Sequence, residues 1–402
     1  MTDLLLKQLS AQLETPSYIF DEDVFEQRAK LVREKFGSNV NICFSIKANS
    51  FLLCRADLFD KIEVCSPGEL TICEKTKADM SKVIFSGVNK TMPDVERAML
   101  DNVGTFTAES RMHVNLINNC AQKYGKTVSV LLRLTGGSQF GMDESEILDI
   151  IEHREDFGGI KIVGLHYFTG TQKRKAKVIE KELNYVEQFC QTVKQELDFD
   201  IKRIEYGTGL AVDYFSSEAD SLEEERLCSI AQMIGELGKK YDLTVEMGRF
   251  FAAPCGYYLT KVIDIKTNCE VNYAILDGGL NQLKYDGQIQ GMQIPQITHL
   301  KNENNEHKND LQLWTLCGSL CTTADVLARN VELRSLLPDD VLVFHRTGAY
   351  SAMEGMAVFL SREMPQIALY SKKNGLRIVR EFINADIFNT PYTKLTVSED
   401  KL

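Results

Sequence analysis

The sequence has neither a long apolar run nor a CxxC pair of cysteines. No stretch of the 402 residues approaches the roughly 18 consecutive apolar residues that a membrane-spanning helix needs, so no membrane partner is predicted. The 11 cysteines include no CxxC pair, which argues against a disulfide framework and a structural zinc site. Residues 1–7 mix charged and apolar side chains and do not form a cleavable signal. We therefore expect a cytoplasmic protein without bound metal.

Basic residues are also in deficit. The chain has 46 Lys and Arg against 57 Asp and Glu, a net charge of −11 and a pI near 5.2. Such a surface repels phosphate backbones and anionic lipids, so nucleic acid is not an expected partner. A local basic pocket is still compatible with phosphate binding. The length and the 44% apolar content support one large domain and a smaller one.

Short β-rich runs alternate with longer helical stretches in the first part of the chain. Helical spacers such as 177–197 carry apolar residues at helical spacing and are expected to pack around a barrel. Eight parallel strand–helix units predict an α/β fold, a (β/α)8 barrel of the TIM type. The eight predicted strands are 41–46, 61–65, 82–86, 105–108, 128–134, 160–167, 203–206 and 243–246.

The pattern changes after Arg249 to β-runs without helices between them, which predicts a mostly antiparallel β-domain. The predicted domains are a barrel over 17–250 and a β-domain over 251–402 with 1–16. The predicted strands of the β-domain are 257–266, 272–276, 311–316, 341–345 and 376–382.

Several chemically capable residues follow the predicted barrel strands. Lys47 comes directly after the first strand, although a lone lysine is more often an ordinary solvated side chain. Gly207, Thr208 and Gly209 follow the seventh strand, and Glu246, Gly248 and Arg249 end and follow the eighth. Barrel active sites lie at these strand ends, and the loops after strands seven and eight often bind phosphate.

Together these groups match the needs of pyridoxal 5′-phosphate. Lys47 supplies an imine-forming amine, Glu246 a carboxylate for the ring nitrogen, and the glycine loop with Arg249 an anion cradle. A carboxylate opposite the ring nitrogen keeps that nitrogen protonated and favours a strong electron sink. Such a sink suits decarboxylation.

The predicted β-domain adds two residues in turns that contain glycine. Cys321 lies in the segment 317–325, and Tyr350 follows Gly348 and Ala349. A buried structural role is the commoner fate of a free cysteine, so only its context singles out Cys321.

Seven motifs in this order resemble the fold-type III, alanine-racemase-like decarboxylases, the family of the diaminopimelate and ornithine decarboxylases. The resemblance runs from about residue 15 to residue 391. The motifs are FSIKAN (44–49), CSPGEL (65–70), SQFGM (138–142), GLHYFTGTQ (164–172), EMGR (246–249), CGSLCTTAD (317–325) and GAY (348–350).

The resemblance implies a role for each matching residue. Lys47 is expected to form the internal aldimine with pyridoxal phosphate, and Glu246 to pair with its ring nitrogen. Cys321 is expected to come from the neighbouring subunit of a homodimer with shared active sites and to give a proton to the carbanion. The cofactor-binding set is Lys47, His166, Phe168, Thr171, Gly207, Thr208, Gly209, Glu246, Gly248, Arg249 and Tyr350.

Three departures from the family pattern concern the cofactor ring and the substrate. Phe168 stands where the family usually has a second histidine that stacks on the cofactor. Thr322 replaces the acidic residue that meets the distal amine of the substrate, and Asp325 is the nearest residue that could compensate. Lys284 is the only cation near the position of the arginine that binds the distal carboxylate in diaminopimelate decarboxylases.

These departures leave the substrate open. The activity implied is α-decarboxylation of a small-molecule amino acid, or of an aminoacyl group tethered to a carrier protein. The basic residues Lys173, Arg174, Lys175 and Lys177 are the best candidate for docking an acidic carrier, although a solvated helix start explains them equally well. The alternatives are an amino-acid racemase on the same fold, which Glu246 disfavours, and a catalytically inactive regulatory homologue.

Overall fold

A computed structural model describes residues 1–304 and 310–391 of the protein. The chain forms two compact units, Asp21–Cys255 and a second one made of Met1–Phe20 with Gly256–Leu402. The domain bounds 17–250 and 251–402 with 1–16 remain a prediction. No helix in the described ranges is both long and apolar enough to cross a membrane.

Eight parallel strands close into a barrel in the first unit, which confirms the predicted fold class. Strand β2 (Val40–Ser45) pairs with both β3 (Lys61–Val64) and β9 (Asp242–Met247), so the barrel closes between its first and last strands. Most of their residues are buried, because both faces of a parallel barrel strand are covered. The strands are β2 (Val40–Ser45), β3 (Lys61–Val64), β4 (Val83–Phe85), β5 (Thr105–Ala108), β6 (Val128–Leu134), β7 (Ile160–Tyr167), β8 (Arg203–Gly207) and β9 (Asp242–Met247).

Helices separate most of the barrel strands. Side-chain capping sets some of the helix N-termini: the Ser66 side chain, for example, accepts a hydrogen bond from Glu69 N at the start of α3, whose first residue is Pro67. The predicted helix over 177–197 is confirmed as α7. A 3-10 segment, Ser50–Leu58, follows β2 in place of an α-helix. The helices of this unit are α2 (Glu22–Phe36), α3 (Pro67–Lys75), α4 (Met92–Leu100), α5 (Arg111–Lys123), α6 (Glu144–Glu152), α7 (Ala176–Leu197), α8 (Ala219–Lys240) and α9 (Arg249–Ala252).

The second unit is built on a nine-stranded, mostly antiparallel sheet. Strands β11 and β13 form a parallel pair within it. Helix α1 (Asp3–Ser10) buries Leu6 and Leu9 in an apolar cluster with residues of β1, β10, β12 and β15. The unit also contains the short helix α10 (Asp386–Asn389). Its strands are β1 (Ser17–Asp21), β10 (Gly256–Asn268), β11 (Val271–Leu276), β12 (Ile297–Leu300), β13 (Leu311–Cys317), β14 (Val326–Arg334), β15 (Val341–His345), β16 (Gln366–Ser371) and β17 (Gly375–Arg380).

Four strands of this sheet are absent from the sequence-based prediction. Strands β1 and β12 are only 5 and 4 residues long, which gives little periodic signal. Strand β14 contains Asn330 in the left-handed region, with φ of 55°, and its pairing with β13 shifts register. Such a bulge interrupts the alternation by which a strand is found in a sequence. Strand β16 was also missed.

Candidate active site

Lys47 lies in a 3-10 turn, Ile46–Ala48, directly after strand β2. The two neighbours in the turn are buried, whereas the Lys47 side chain is 34% exposed. Its Nζ atom lies 2.8 Å from Glu63 Oε2 and 3.4 Å from Glu246 Oε1. Lys47 is therefore ion-paired at the barrel mouth and is not an ordinary solvated lysine.

Glu246 lies near the end of β9 and is 6% exposed. Its Oε1 atom accepts a hydrogen bond of 2.7 Å from Ser45 Oγ, and its Oε2 atom lies 3.2 Å from His166 Nε2. Burial alone would raise the pKa of Glu246, but Lys47, His166 and Ser45 outweigh it and hold the pKa well below the ordinary value. The site therefore contains a buried, ionised carboxylate.

His166 and Phe168 lie at the end of β7 and directly after it. His166 is 2% exposed and is held by its contact with Glu246. The Phe168 ring packs on Gly207, where an added Cβ would lie 2.5 Å from a ring carbon. Glycine at position 207 therefore allows the aromatic ring to lie directly on the backbone at the end of β8.

The predicted phosphate loop, Gly207 to Gly209, lies against the loop that follows β7. Gly209 has φ of +56°, and an added Cβ would lie 1.9 Å from Gly170 O. Only glycine fits this conformation and this approach. Thr208 is fully buried, and its Oγ1 accepts a hydrogen bond of 3.3 Å from Leu210 N. The exposed Thr171 directly follows Gly170 in the facing loop.

Gly248 and Arg249 place the end of β9 beside the Lys47 turn. A Cβ at Gly248 would lie 2.9 Å from the Ala48 Cβ. Arg249 begins helix α9, and its guanidinium donates a hydrogen bond of 2.7 Å to Tyr214 Oη. The structure thus brings a cation and the two glycine loops to neighbouring strand ends, as the sequence predicts.

Lys47, His166, Phe168 and Glu246 line one cavity of about 340 Å³ at the barrel mouth. Its lining also includes Arg133 and Glu109, both buried and joined by a hydrogen-bonded ion pair of 2.5 Å. The Arg133 guanidinium carbon also lies 4.7 Å from the centre of the Phe140 ring. The cavity is therefore lined by both charged groups and aromatic rings.

Glu205 lies on β8 close to His166 and Glu246 and is fully buried. Neither carboxylate oxygen has a hydrogen-bond partner among the described residues. One ligand atom each of Glu205, His166 and Glu246 fall within 4.8 Å of one another. Burial raises the pKa of Glu205 well above the ordinary value, and the charges of Glu246 and Glu63 raise it further. A neutral carboxylic acid thus lies next to an ionised carboxylate.

Cys321 lies in the other unit, in the turn between β13 and β14. Its side chain is exposed, and it lines an open cavity of about 590 Å³ with Cys317, Thr322, Asp325 and Arg329. Burial raises the pKa of the Cys317 thiol, and Asp325 adds to the effect. Thr322 and Cys321 are therefore on a surface that a substrate or a second chain can reach.

Asp325 is 2% exposed, and its two oxygens accept hydrogen bonds of 2.8 Å from Leu280 N and Leu320 N. An added Cβ at Gly318 would lie 2.3 Å from Asp325 Oδ2, so the loop is built closely around this carboxylate. Both oxygens of the Asp325 carboxylate are therefore occupied by backbone hydrogen bonds. This geometry argues against the expectation that Asp325 compensates for Thr322 at the substrate.

Lys284 and Tyr350 lie in the same unit as Cys321. The Lys284 ammonium pairs with Glu354 at 2.6 Å, and both side chains are about half exposed. Tyr350 adopts φ of 65°, and its carbonyl oxygen accepts hydrogen bonds from Met353 N and Glu354 N. Lys284 is therefore already neutralised, and Tyr350 begins a tight turn.

Sequence reasoning missed Glu63, Glu205 and the Arg133–Glu109 pair. Glu63 and Glu205 are acidic residues inside runs that otherwise read as buried barrel strands. A charge at such a position is costly unless it has a partner or a function. This signal was available in the sequence, but it does not show which side of the barrel wall the residue faces.

A closed barrel that presents a lysine, a buried carboxylate and glycine-built anion loops at neighbouring strand ends is a pyridoxal phosphate-binding barrel. The model of the family "Pyridoxal-dependent decarboxylase, pyridoxal binding domain" matches residues 22–253. The chain therefore belongs to the pyridoxal-dependent decarboxylases. It is an amino-acid decarboxylase, a carboxy-lyase that uses pyridoxal phosphate.

Curated relatives match along nearly the whole chain. The chain is 26% identical to L-glutamyl-[BtrI acyl-carrier protein] decarboxylase of Niallia circulans, over 94% of each sequence. It is 25% identical to diaminopimelate decarboxylase of Methanocaldococcus jannaschii, over 93% of this chain and 90% of the relative. It is 28% identical to 2-[(L-alanin-3-ylcarbamoyl)methyl]-2-hydroxybutanedioate decarboxylase of Staphylococcus aureus, over 90% of this chain and 96% of the relative.

Solved structures share the fold. Diaminopimelate decarboxylase of M. jannaschii, in a complex with L-lysine, matches with a TM-score of 0.81 at 24% identity, over 94% of this chain and 92% of that one. The lysine/ornithine decarboxylase of Vibrio vulnificus in complex with cadaverine matches with a TM-score of 0.79 at 19% identity, over 92% and 98%. At these identities the likeness concerns the fold.

The residues at the barrel mouth fit pyridoxal phosphate. Lys47 Nζ is within reach of the cavity, the ionised Glu246 suits a protonated ring nitrogen, and Phe168 offers an apolar face. The positive φ of Gly209 and its close contact with Gly170 leave the loop without side chains where backbone N–H groups can meet an anion. The donor set therefore provides for the amine, the ring and the phosphate of the cofactor.

Proposed function

We propose that this decarboxylase removes the α-carboxylate from an L-amino-acid unit whose distal end carries no free ammonium group, such as an amino acid joined through its side chain to a larger group. The observation that carries this proposal is the loop around Cys321. Thr322 follows the cysteine, and the two oxygens of Asp325 accept backbone N–H groups of Leu280 and Leu320. The loop thus offers hydroxyl groups but no uncommitted carboxylate to a substrate.

A free diamino acid would need a negative partner at this point. A buried ammonium without one costs several kcal/mol, roughly 3–5 kcal/mol when a buried pair is broken. Lys284 is not a ready partner for a distal carboxylate, because its ammonium is paired with Glu354. A neutral amide or ester linkage at the distal end has neither requirement, and threonine hydroxyls can hydrogen-bond to it.

Two relatives support this substrate class by their names. One acts on an L-glutamyl group of an acyl-carrier protein, and the other on an alanine unit joined through a carbamoyl group. In both, the amino-acid unit is part of a larger molecule. Diaminopimelate decarboxylases match at similar identity, so the proposal is supported by the chemistry of the loop around Cys321 and not by sequence identity.

The basic segment 173–177 gives weak support for docking a carrier by charge. Lys173 pairs with Glu182 at 2.7 Å, and Arg174 pairs with Asp213 at 2.6 Å. Among the described residues only Lys175 and Lys177 of this segment have no acidic partner within 4.0 Å. The proposal therefore concerns the amino-acid unit, and it does not rest on an acidic carrier.

The roles of the barrel residues follow from their geometry. Lys47 provides the amine that holds the cofactor, and Glu63 keeps its ammonium ion paired before the cofactor binds. Glu246, fixed by Ser45 and His166, presents a negative charge to the ring nitrogen. When bound, pyridoxal phosphate supplies an electron sink for the pair of electrons left when the bond from Cα to the carboxylate breaks.

The remaining site residues hold the cofactor in place. Gly207, Thr208, Gly209 and Arg249 bind its phosphate in this proposal, with Gly248 shaping the loop and Thr171 nearby. Phe168 and His166, which line the cavity, would contact the ring of the cofactor. Phe168 packs without donating a hydrogen bond, so it excludes water and adds no charge.

We further propose a cytoplasmic homodimer in which Cys321 and Tyr350 of one subunit complete the site of the other. Cys321 holds a proton for the carbon that loses the carboxylate, and Tyr350 reaches the phosphate. The exposed thiol and the exposed apolar side chains Met356, Val358, Phe359 and Leu360 support a partner surface on this unit. All 11 cysteines are free thiols, which fits a reducing compartment.

The substrate proposal is tested by matched pairs of amino acids offered to the cofactor-loaded protein. Lysine is compared with its side-chain N-acetyl derivative, and glutamate with its γ-methylamide; free diaminopimelate, ornithine and arginine complete the panel. Amine formation is measured by mass spectrometry. We expect the neutral derivative of each pair to have the higher kcat/KM. Faster turnover of free diaminopimelate than of either derivative overturns the proposal and assigns a free diamino-acid substrate.

A further inference from the structure

Glu182, on helix α7, forms a buried hydrogen-bond centre outside the cofactor cavity. Its carboxylate accepts hydrogen bonds from Lys173 Nζ at 2.7 Å, from Tyr206 Oη at 2.5 Å, and from Thr169 Oγ1. Glu182 is 9% exposed, Tyr206 is fully buried and the Lys173 side chain is 8% exposed. These donors come from the loop after β7 and from the strand that leads into the glycine loop.

The segment that carries Lys173 is joined to the glycine loop by its backbone. Lys173 N donates to Gly209 O at 2.8 Å, and Ala211 N donates to Lys173 O at 3.0 Å. The adjacent Gln172 side chain accepts a hydrogen bond of 2.8 Å from Val212 N. A displacement of Lys173 would therefore displace the backbone of residues 209–212.

The Lys173 ammonium depends on Glu182 for its charge balance. It lies 5.7 Å from the ring centre of Phe168 and 5.8 Å from that of Tyr206, so its other neighbours are largely aromatic. Burial lowers the pKa of Lys173, and Glu182 opposes this effect. Removing the carboxylate would leave a cation between two rings without its anion, which favours movement of the whole segment.

We infer that Glu182 is a positioning residue for the phosphate group of the cofactor. By tying Thr169, Lys173 and Tyr206 to one carboxylate, it fixes the two loops whose backbone meets the phosphate. This inference rests on the proposed phosphate-binding role of Gly207, Thr208 and Gly209. It assigns a function in cofactor binding to a helix residue outside the residues that line the cavity.

The test compares the affinities of the cofactor-stripped full chain for pyridoxal phosphate and for pyridoxal, which lacks the phosphate. Both are followed by visible absorbance during titration. For Glu182→Gln we expect the Kd of pyridoxal phosphate to rise at least about tenfold, because a charge-assisted hydrogen bond is lost, with the Kd of pyridoxal unchanged. Glu180→Gln, an exposed glutamate two residues earlier on the same helix, is the matched control.

The possible results distinguish an error in the assigned phosphate loop from an error in the role of Glu182. If wild type binds pyridoxal as tightly as pyridoxal phosphate, the phosphate loop itself is wrongly assigned. If wild type discriminates and Glu182→Gln keeps the same ratio of the two affinities, the loop stands and the role of Glu182 is refuted.

A second variant keeps the test decisive if Glu182→Gln does not fold, as judged by thermal melting. Thr169→Val removes one hydroxyl donor without leaving a buried charge and is nearly isosteric. We expect it to weaken pyridoxal phosphate about threefold or more and to leave pyridoxal unchanged. Equal binding of both ligands to Thr169→Val and wild type refutes the inference.

Discussion

Lys47 Nζ lies 3.4 Å from Glu246 Oε1, although 199 positions separate the two residues in the sequence. The contact exists because β2 and β9, the first and last barrel strands, pair with each other, with Cys43 opposite Glu246. Glu63 lies closer to the same ammonium, at 2.8 Å. If the Lys47 amine moves to hold the cofactor, Glu246 therefore keeps its hydrogen bonds with Ser45 and His166.

Replacing Lys47 by alanine should abolish turnover. The variant has no amine with which to hold the cofactor or exchange it for the substrate, so we expect kcat to fall by at least about 10³-fold. Amine formation and the visible absorbance of the cofactor-loaded protein are the two measurements. Lys30→Ala, an exposed lysine on α2, is the matched control. Substantial activity in Lys47→Ala would overturn the assignment of the amine, and added methylamine should restore part of the rate if the cavity is otherwise intact.

Replacing Cys321 by alanine should slow product formation, or divert the reaction to oxidative side products, because the carbon that lost its carboxylate no longer has this proton source. Cys269→Ala, another exposed cysteine of the same unit, is the control. An unchanged rate in Cys321→Ala contradicts the role as proton donor.

The shared site predicts complementation between two variants that are each impaired. When Lys47→Ala and Cys321→Ala subunits are mixed and exchanged, half of the dimers are mixed and each mixed dimer has one intact site. We expect about a quarter of the wild-type activity to return. Light scattering gives the oligomeric state of the same samples. No recovery in a mixture that exchanges subunits shows that both residues act within one chain.

Replacing Thr322 by aspartate should broaden the substrate range toward free diamino acids. The new carboxylate would lie beside Cys321 on the surface of the 590 Å³ cavity and could pair with a distal ammonium. We expect kcat/KM for free lysine or ornithine to rise about tenfold or more, and that for the acetylated derivative to fall. Thr323→Asp, one position further along the same turn, is the control. Equal responses of the two variants would mean that position 322 does not face the substrate.

Much of the barrel and its mouth could be predicted because parallel strands bring their carboxyl ends to one edge. Lys47, Gly207 and Glu246 each end or follow a short β-rich run, and counting the runs is enough to place them together. The missed strands β12 and β14 are either too short or interrupted by a residue in the left-handed region, as at Asn330. Their pairing depends on partners distant in the sequence.

Side-chain contacts within the site were much less predictable. The sequence shows Lys173 among four basic residues, which fits a docking surface and a solvated helix start equally well, whereas the structure turns its ammonium inward onto Glu182. Asp325 is similar: its spacing from Cys321 suggests a substrate contact, but its oxygens accept backbone hydrogen bonds. Burial and pairing are decided by tertiary packing, which residue spacing does not specify.

The pKa of Glu205, next to Glu246, makes the stability of the protein depend on pH. Burial and the charges of Glu246 and Glu63 raise its pKa, so the folded chain keeps a proton that the unfolded chain releases above a pKa of about 4.3. The unfolded state then binds fewer protons than the folded state, and stability falls as pH rises from that value toward the raised pKa of the folded protein. Glu205 is therefore a source of instability at neutral and alkaline pH.

Glu205→Met removes this ionisable group with little change in side-chain length. We expect the variant to melt about 2–5 °C above wild type at pH 8 and to differ little from it at pH 5. The reason is that the free-energy cost of keeping Glu205 protonated in the folded chain grows as the pH rises above the pKa of the unfolded chain. Circular dichroism melting of the cofactor-free full chain measures both. Glu196→Met, an exposed glutamate on α7, controls for the change in net charge. If Glu205→Met melts below wild type at pH 8, Glu205 does not cost stability at that pH, and this account of its electrostatics is wrong.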